Sequence, residues 1–252
     1  MIQKHMNINK SKILSYWIIG KHAVVGALNN PDRINYRLCI TAENYEKIQT
    51  NNIKLEPEIM SRTEISKLTN NNIHQGLALL TKPLEKKKLN RYLNQKKKKK
   101  KIFIILDQIN DSQNVGAIIR SATAFNASGI IILDKNSPNE NSALSKAAAG
   151  TLEIMPLFRV SNLVQTIKLL KQNNFWTVGL EAKAIKTLKE INETSKIFSE
   201  NVAIVMGSES KGIRNLVKDN CDITAKINIK NSIESLNVSV ALAISLYEMN
   251  RS

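Results

Sequence analysis

Three short segments carry residue types suited to chemistry. The first is Asp107-Gln-Ile-Asn-Asp-Ser-Gln-Asn114-Val-Gly116-Ala-Ile-Ile-Arg120. Asn114 is placed to cap a helix, and Gly116 in the first turn lets another backbone or a phosphate come close. Arg120 follows in the second turn of a helix whose apolar face is Val115, Ile118, Ala122 and Phe125. It could be a surface residue paired with Asp107 or Asp111. A guanidinium near the positive end of a helix dipole is better explained by an anionic ligand. The second segment, Val205-Met-Gly207-Ser-Glu209-Ser-Lys211-Gly212-Ile213, follows an apolar run. Its lysine precedes the second glycine and no Ser or Thr follows, so it is not a triphosphate-binding loop. Glu209 is either a first-turn acid or a buried anchor for a ligand loop or for the next subunit. In the third, Ser235-Leu-Asn237-Val-Ser239-Val-Ala241, Ser235 or Asn237 can cap the helix that follows. Its hydroxyls and amide also suit a ribose or a carboxylate.

Elements that would hold these segments alternate along the second part of the chain. Apolar runs predict strands at Ile102 to Leu106, Ile130 to Leu133, Trp176 to Leu180, Val202 to Met206 and Ile223 to Ile227. Helical spacing predicts helices at Val115 to Asn126, Ser142 to Ala149, Leu163 to Lys171, Ile213 to Lys218 and Val238 to Met249. Strands this uniformly apolar are covered on both faces, which implies an α/β fold with a parallel sheet and helices on both sides. Ligands of such sheets bind beyond the carboxyl ends of the strands, where the three segments lie. Earlier in the chain a helix is expected at Lys21 to Asn29, an alternating strand at Ile34 to Ile40, and a strand at Leu77 to Leu80. This is a small N-terminal α/β domain, and no G-x-G-x-x-G dinucleotide fingerprint follows any strand.

The charge divides with the domains. Of 37 Lys+Arg and 21 Asp+Glu in the 252 residues, positions 1–101 hold 21 and 7, a net of +14, leaving 16 and 14, a net of +2, for 102–252. A basic module joined to a near-neutral one reads as a nucleic-acid grip attached to a catalytic domain. The expected division is a basic leader over 1–17, a domain over 18–85 that contacts RNA or DNA, a lysine-rich linker over 86–101 and a catalytic domain over 102–252. The six lysines Lys96 to Lys101 read as a solvated tether. Ile13 to Ile19 is too short to span a membrane, and no Arg precedes Arg33 as a transit peptide would require. Cys39 and Cys221 are too few to staple the chain, as in a reduced cytoplasmic protein. His5, His22 and His74 make no metal-ligand spacing, so no metal is expected.

The three segments together resemble the motifs of the SpoU/TrmH-type RNA ribose 2'-O-methyltransferases of the SPOUT superfamily. The family pattern N-x-G-x-x-x-R is met by Asn114, Gly116 and Arg120, and M-G-x-E-x-x-G by Met206, Gly207, Glu209 and Gly212. S-L-N-V-S-V-A is met by Ser235 through Ala241, and Ser145 to Leu152 resembles the family's small-residue stretch. Gly20-Lys-His-Ala-Val24 and His74-Gln75-Gly76 resemble the substrate-binding domain of the subgroup that methylates guanosine ribose in 23S ribosomal RNA.

The resemblance implies S-adenosyl-L-methionine as methyl donor, a trefoil knot in the C-terminal part and a homodimer through that domain. It implies cofactor contacts, largely through backbone atoms, at Leu180, Glu181, Met206, Gly207, Ile227, Leu236 and Asn237. The family's Pro and Gly after Ile227 are replaced by Asn228 and Asn231, and Asn231 can keep a positive-φ turn. Catalytic roles carry over to Asn114, Arg120, Glu209, Ser235 and Asn237. The resemblance implies that Arg120 activates the 2'-hydroxyl with the aid of an RNA phosphate; the expectation here is instead that Arg120 clamps the phosphate and stabilises developing alkoxide charge, with the general base left open. Lys21, His22, Arg33 and Arg37, with Arg120, are the expected RNA contacts, the partner being 23S rRNA or a large-subunit precursor, while His74 is expected to serve packing rather than to stack on a base. The competing readings are a transfer-RNA ribose methyltransferase and a non-catalytic ribosome-assembly factor.

Overall fold

The computed structural model describes residues 14–48, 55–70, 73–94, 100–230, 232 and 234–251. Asn231 and the lysines 96–99 lie outside them. The N-terminal part contains β1 (Tyr16–Ile19), α1 (Lys21–Asn29), β2 (Asn35–Ile40), α2 (Ala42–Lys47), β3 (Glu58–Ile59), α3 (Arg62–Leu68) and β4 (Leu77–Thr81). Their sheet has the order β1-β4-β2-β3. Strand alternation sends Ile18, Leu38, Ile40, Leu77 and Leu79 to one face, under Val24, Ala27 and Leu28 of α1. Ile19, Cys39 and Ala78 face the other way, onto Ile65 of α3.

Two expectations change here. Tyr16 and Trp17, assigned to the leader, are the first residues of β1 and pair with Thr81 and Leu80. In β2 the alternation of Ile34, Tyr36, Leu38 and Ile40 does not define one face. The register shifts between Asn35 and Arg37, and Ile34 and Tyr36 are 49% and 40% exposed whereas Leu38 and Ile40 are buried. A bulge re-aims the residues before it.

His74 is a packing residue, as expected. It is buried, its Nδ1 accepts from the Gly76 amide, and its Nε2 lies 3.0 Å from Ser66 Oγ. Burial is the main influence holding its pKa below the ordinary histidine value.

The expected linker is partly structured. Residues 89–93 form α4 (Leu89–Leu93), with Leu89 buried in the second domain and Tyr92 and Leu93 packed beside it. Tyr92 meets Phe158 edge-on at 5.2 Å between ring centres.

The second domain runs β5 (Ile102–Asp107), α5 (Ser112–Ala124), β6 (Gly129–Leu133), α6 (Ser142–Ala148), β7 (Leu157–Val160), α7 (Leu163–Gln172), β8 (Phe175–Leu180), α8 (Leu188–Thr194), β9 (Asn201–Gly207), α9 (Asn215–Lys218), β10 (Ile223–Ala225) and α10 (Val238–Met249). Its six strands are all parallel, in the order β10-β8-β9-β5-β6-β7. Along β5, Ile102, Ile104 and Leu106 pack beneath α5, α6, α8 and α10, while Phe103 and Ile105 pack beneath α4, α7 and α9. Both faces are covered, as the apolar strands require. Among the described residues no helix is long and apolar enough to cross a membrane.

Candidate active site at the carboxyl edge of the parallel sheet

In a parallel sheet all carboxyl ends lie on one edge, and here those of β10, β8, β9 and β5 are neighbours. β5 leads outward to β6 and β7 while β9 and β8 lie on its other side, so the order reverses between β5 and β9. Such a reversal opens a ligand crevice. Asp107, fully buried, ends β5 opposite Gly207, which ends β9.

The loop after β9 folds tightly on itself. The Gly212 amide donates to the Ser208 carbonyl at 2.8 Å, with Gly212 at φ +65. Ile213 turns inward and is buried, so the expected helix from Ile213 begins only at Asn215. Arg214 then closes on Asp107. Its backbone amide donates to Oδ2 at 2.9 Å and its Nε to Oδ1 at 2.8 Å.

These anchors bring the three motifs together. Asn237 Nδ2 donates to Asn114 Oδ1 at 2.9 Å and to Glu209 Oε1 at 2.8 Å. The same Glu209 oxygen accepts from Asn114 Nδ2 at 3.3 Å and from the Val238 amide at 3.2 Å. Asn237 also caps α10, accepting from the Ser239 amide at 3.0 Å and from Ser239 Oγ at 2.6 Å. Capping and site geometry are thus met by one side chain. Glu209 is not a first-turn acid, since the helix that follows begins only at Asn215, and it joins the motifs as an exposed residue rather than the buried anchor expected.

Asn114 is not the cap of α5. Asp111 is, accepting from the amides of Gln113 and Asn114. Two cap-forming residue types lie three apart, and the acid takes the position while the amide is left for the cluster. Gly116 allows a close approach, but of α6: a Cβ there would sit 2.5 Å from the Leu144 carbonyl oxygen and 2.6 Å from Ala147 Cβ. Arg120 is exposed and makes no hydrogen bond or ion pair among the described residues. Neither carboxylate offered as its partner is available, since Asp107 holds Arg214 and Asp111 caps the helix. Ser235 is exposed and stands outside the hydrogen-bonded cluster.

The expected cofactor positions line the neighbouring strand ends. Leu180, Ile227 and Leu236 are partly buried against the same core, and Met206 is buried within it. The Glu181 amide donates to the Ala225 carbonyl at 2.9 Å and its carboxylate lies 3.8 Å from Lys218 Nζ. Asn228 is exposed. Cys221, near these loops, has its thiol pushed up to about 12, chiefly by burial, which leaves it protonated and unreactive. Among the described residues no group of three His, Cys, Asp or Glu could hold a metal ion.

The expected RNA contacts separate. Lys21 and His22 are exposed at the start of α1, and the Lys21 amide donates to Gln75 Oε1 at 3.1 Å, so the two N-terminal motif segments meet. Arg37 is half-buried and occupied by a two-point pair with Glu58 at 2.7 and 2.6 Å. Arg33 corrects the expectation of a surface contact, because its side chain is fully buried between Glu140 and Glu153. Asp107 and Arg214 escaped the sequence reading as a pair because they lie 107 positions apart.

A doubly covered parallel sheet with a polar cluster at its strand-order reversal, preceded by a separate small α/β domain, defines a two-domain ligand-binding α/β protein. The model described as the SpoU rRNA Methylase family matches residues 101–247, and that for RNA 2'-O ribose methyltransferase substrate binding matches 17–87. The chain belongs to the SpoU rRNA methylase family. It is 36% identical over 242 residues to a protein of Staphylococcus aureus (strain COL) described at the level of TrmH family tRNA/rRNA methyltransferase, covering 93% of this chain and 95% of that one. It is 35% identical over 249 residues to the 23S rRNA (guanosine-2'-O-)-methyltransferase RlmB of Coxiella burnetii (strain RSA 493 / Nine Mile phase I), covering 96% of each. The fold is similar to that of the SpoU methyltransferase AviRb from Streptomyces viridochromogenes in complex with AdoMet. That match has a TM-score of 0.74 at 19% identity over 93% of this chain and 89% of that one.

Proposed function

We propose that this chain transfers a methyl group from S-adenosyl-L-methionine to the ribose 2'-hydroxyl of a guanosine in 23S ribosomal RNA. The observation that carries this reading is the joining of Asn114, Glu209 and Asn237 in one hydrogen-bonded cluster beside α5, the helix that also presents Arg120, which is without a hydrogen bond or ion pair among the described residues. Similarity to RlmB over nearly the whole chain supports the substrate.

The residues present fit the cofactor. Leu180, Ile227 and Leu236 form an incompletely covered apolar rim suited to an adenine ring, beside the ends of β8 and β9 and the turn into α10. When bound, S-adenosyl-L-methionine supplies an electrophilic methyl group on a sulfonium. The protein's work is then alignment of the hydroxyl with that group and stabilisation of the charge that develops on its oxygen. Arg120 acts through its planar guanidinium, holding an RNA phosphate and facing the incipient alkoxide. Asn114 and Asn237, fixed by Glu209 Oε1, hold the ribose side of the site, and Ser235 completes it from the exposed turn. Lys21 and His22 grip RNA on the first domain.

The test is mass spectrometry of ribosomal and transfer RNA from cells with and without the gene. Loss of one 2'-O-methylguanosine from 23S rRNA is the expected result. Loss from transfer RNA would keep the chemistry and replace the substrate, and no loss from either would favour an assembly factor.

The catalytic domain acts as a homodimer, with its C-terminal segment threaded as a trefoil knot. Support for the dimer comes from α10, which is apolar on both sides: Val240, Ile244 and Tyr247 are 47%, 40% and 59% exposed. At helical spacing they form one stripe opposite the buried face. The double change Ile244→Glu with Tyr247→Glu is expected to convert the dimer to a monomer in light scattering coupled to size exclusion. A wild-type protein that already elutes as a monomer would remove the dimer.

A further inference from the structure

Arg33 is spent on a contact between domains. Its Nε and Nη2 form a fork to Glu153 at 3.0 and 2.6 Å, and Nη1 reaches Glu140 at 2.8 Å and the Lys82 carbonyl at 3.0 Å. The Arg33 side chain is 0% exposed and the side chains of Glu140 and Glu153 are 10% and 4% exposed. Two acids against one cation leave an excess negative charge out of water, which is costly unless further donors meet it. They do. Tyr16 Oη donates to Glu140 at 3.0 Å, the Leu84 amide donates to Glu140 at 3.0 Å, and Asn30 Nδ2 donates to Glu153 at 2.7 Å. Every one of these donors comes from the N-terminal part of the chain, and both acids from the catalytic domain.

The two acids flank α6, Glu140 just before it and Glu153 in the turn after it. On one side α6 and that turn meet the first domain closely: a Cβ on Gly26 would lie 2.9 Å from Gly150 Cα, and one on Gly150 would lie 2.7 Å from the His22 carbonyl oxygen. On its other side α6 presses its backbone against Gly116 of α5, the helix that carries Asn114 and Arg120. A planar fork satisfied at both ends of one helix sets an angle as well as a distance. A domain held only by a lysine-rich tether would need no such network.

We propose that Arg33 is a positioning residue that clamps both ends of α6, so that the RNA-binding domain and the catalytic helix behave as one body and present the target ribose at a fixed angle. The part concerning RNA rests on the function proposed above. The docking itself does not.

The test uses the full chain. Removing Arg33 alone strands two buried carboxylates and can unfold the protein, so two other variants are used. Arg33→Lys keeps the charge without the fork, and the triple change Arg33→Met, Glu140→Gln, Glu153→Gln neutralises the cluster. Small-angle scattering reads the docking, titration calorimetry the affinity for S-adenosyl-L-methionine, and steady-state kinetics the methylation of a 23S rRNA fragment. The wild type is expected to scatter as one body and the folded variants to show a broadened distance distribution. Their kcat/KM for RNA is expected to fall about 10²-fold, the scale of an ångström-level misplacement of reactants. Cofactor affinity is expected to stay that of the wild type. Variants that scatter like the wild type, or that open without losing kcat/KM, overturn the proposal, as does a parallel loss of cofactor affinity. If the wild type methylates nothing, the proposed reaction falls, and scattering alone still decides whether Arg33 holds the domains together.

Discussion

Replacing Arg120 by Ala is expected to lower kcat for RNA methylation by about 10²- to 10³-fold, the loss typical of removing one group that faces developing charge. Cofactor affinity is expected to stay unchanged, because among the described residues Arg120 makes no hydrogen bond or ion pair with any expected cofactor position. The fold should be indifferent as well. Arg120 is exposed and forms no hydrogen bond or ion pair among the described residues, so truncation costs stability within about 0.5 kcal/mol. That separation makes the result informative: an activity loss cannot be laid to unfolding. Arg120→Lys should recover only part of the rate, since an ammonium offers a point charge where the guanidinium offers a planar fork. The salt dependence of RNA binding should also become shallower by about one phosphate contact. Rates, melting temperature and a salt titration of RNA affinity check this. An Ala variant with wild-type kcat would place Arg120 outside the chemistry, and one that weakens RNA binding in a chain without turnover would support the assembly-factor reading.

What the sequence made legible follows from how far each feature's cause extends along the chain. The central strands β5, β6 and β9 announce themselves because burial on both faces forces unbroken apolar runs, and α10 is recovered residue for residue for a similar reason. Short elements are different. α2 buries no residue, α3 only Ile65 and α8 only Leu188 and Ile191, so little periodicity marks them. β7 escapes notice because an edge strand of four residues tolerates Arg159. In α4 the apolar Leu89, Tyr92 and Leu93 do stand at helical spacing, but the surrounding lysines dilute the pattern into that of a linker. The site divides in the same way. Asn114, Glu209 and Asn237 are readable as motif residues, whereas their mutual hydrogen bonds are set by the sheet order that brings β5 beside β9. The partners of Arg33 lie 107 and 120 positions away, and nothing local distinguishes a buried arginine from an RNA contact. Arg37 is told apart from it only by the structure, which leaves that residue at the surface with Glu58.

Changing Gly207 to Ala is expected to abolish binding of S-adenosyl-L-methionine, by a mechanism distinct from the loss of a reacting group. A Cβ built on Gly207 would lie 2.0 Å from the Gly212 carbonyl carbon, 2.2 Å from the Ile213 amide nitrogen and 2.3 Å from the Gly212 oxygen. All three are backbone atoms of the loop that closes back over β9, so no side-chain rotation relieves the clash. The loop must open instead. Its displacement pulls Glu209 from Asn114 and Asn237, moves the main chain at 206–207 away from Leu180 and Leu236, and strains the Arg214 contacts that bury Asp107. Forced overpacking of this kind costs about 1–3 kcal/mol, enough to lower the melting temperature without unfolding the domain. Gly179→Ala is the matching control on the adjacent strand, where a Cβ would meet Cys221 Sγ and Ile213 Cδ1 at 3.4 Å, a distance that side chains can accommodate. Calorimetric titration should therefore show no measurable binding for Gly207→Ala and retained binding for Gly179→Ala. Equal affinities in the two variants would mean that the cofactor is held somewhere other than the closed turn between Gly207 and Ile213. The three-motif cluster would then have to serve the RNA alone.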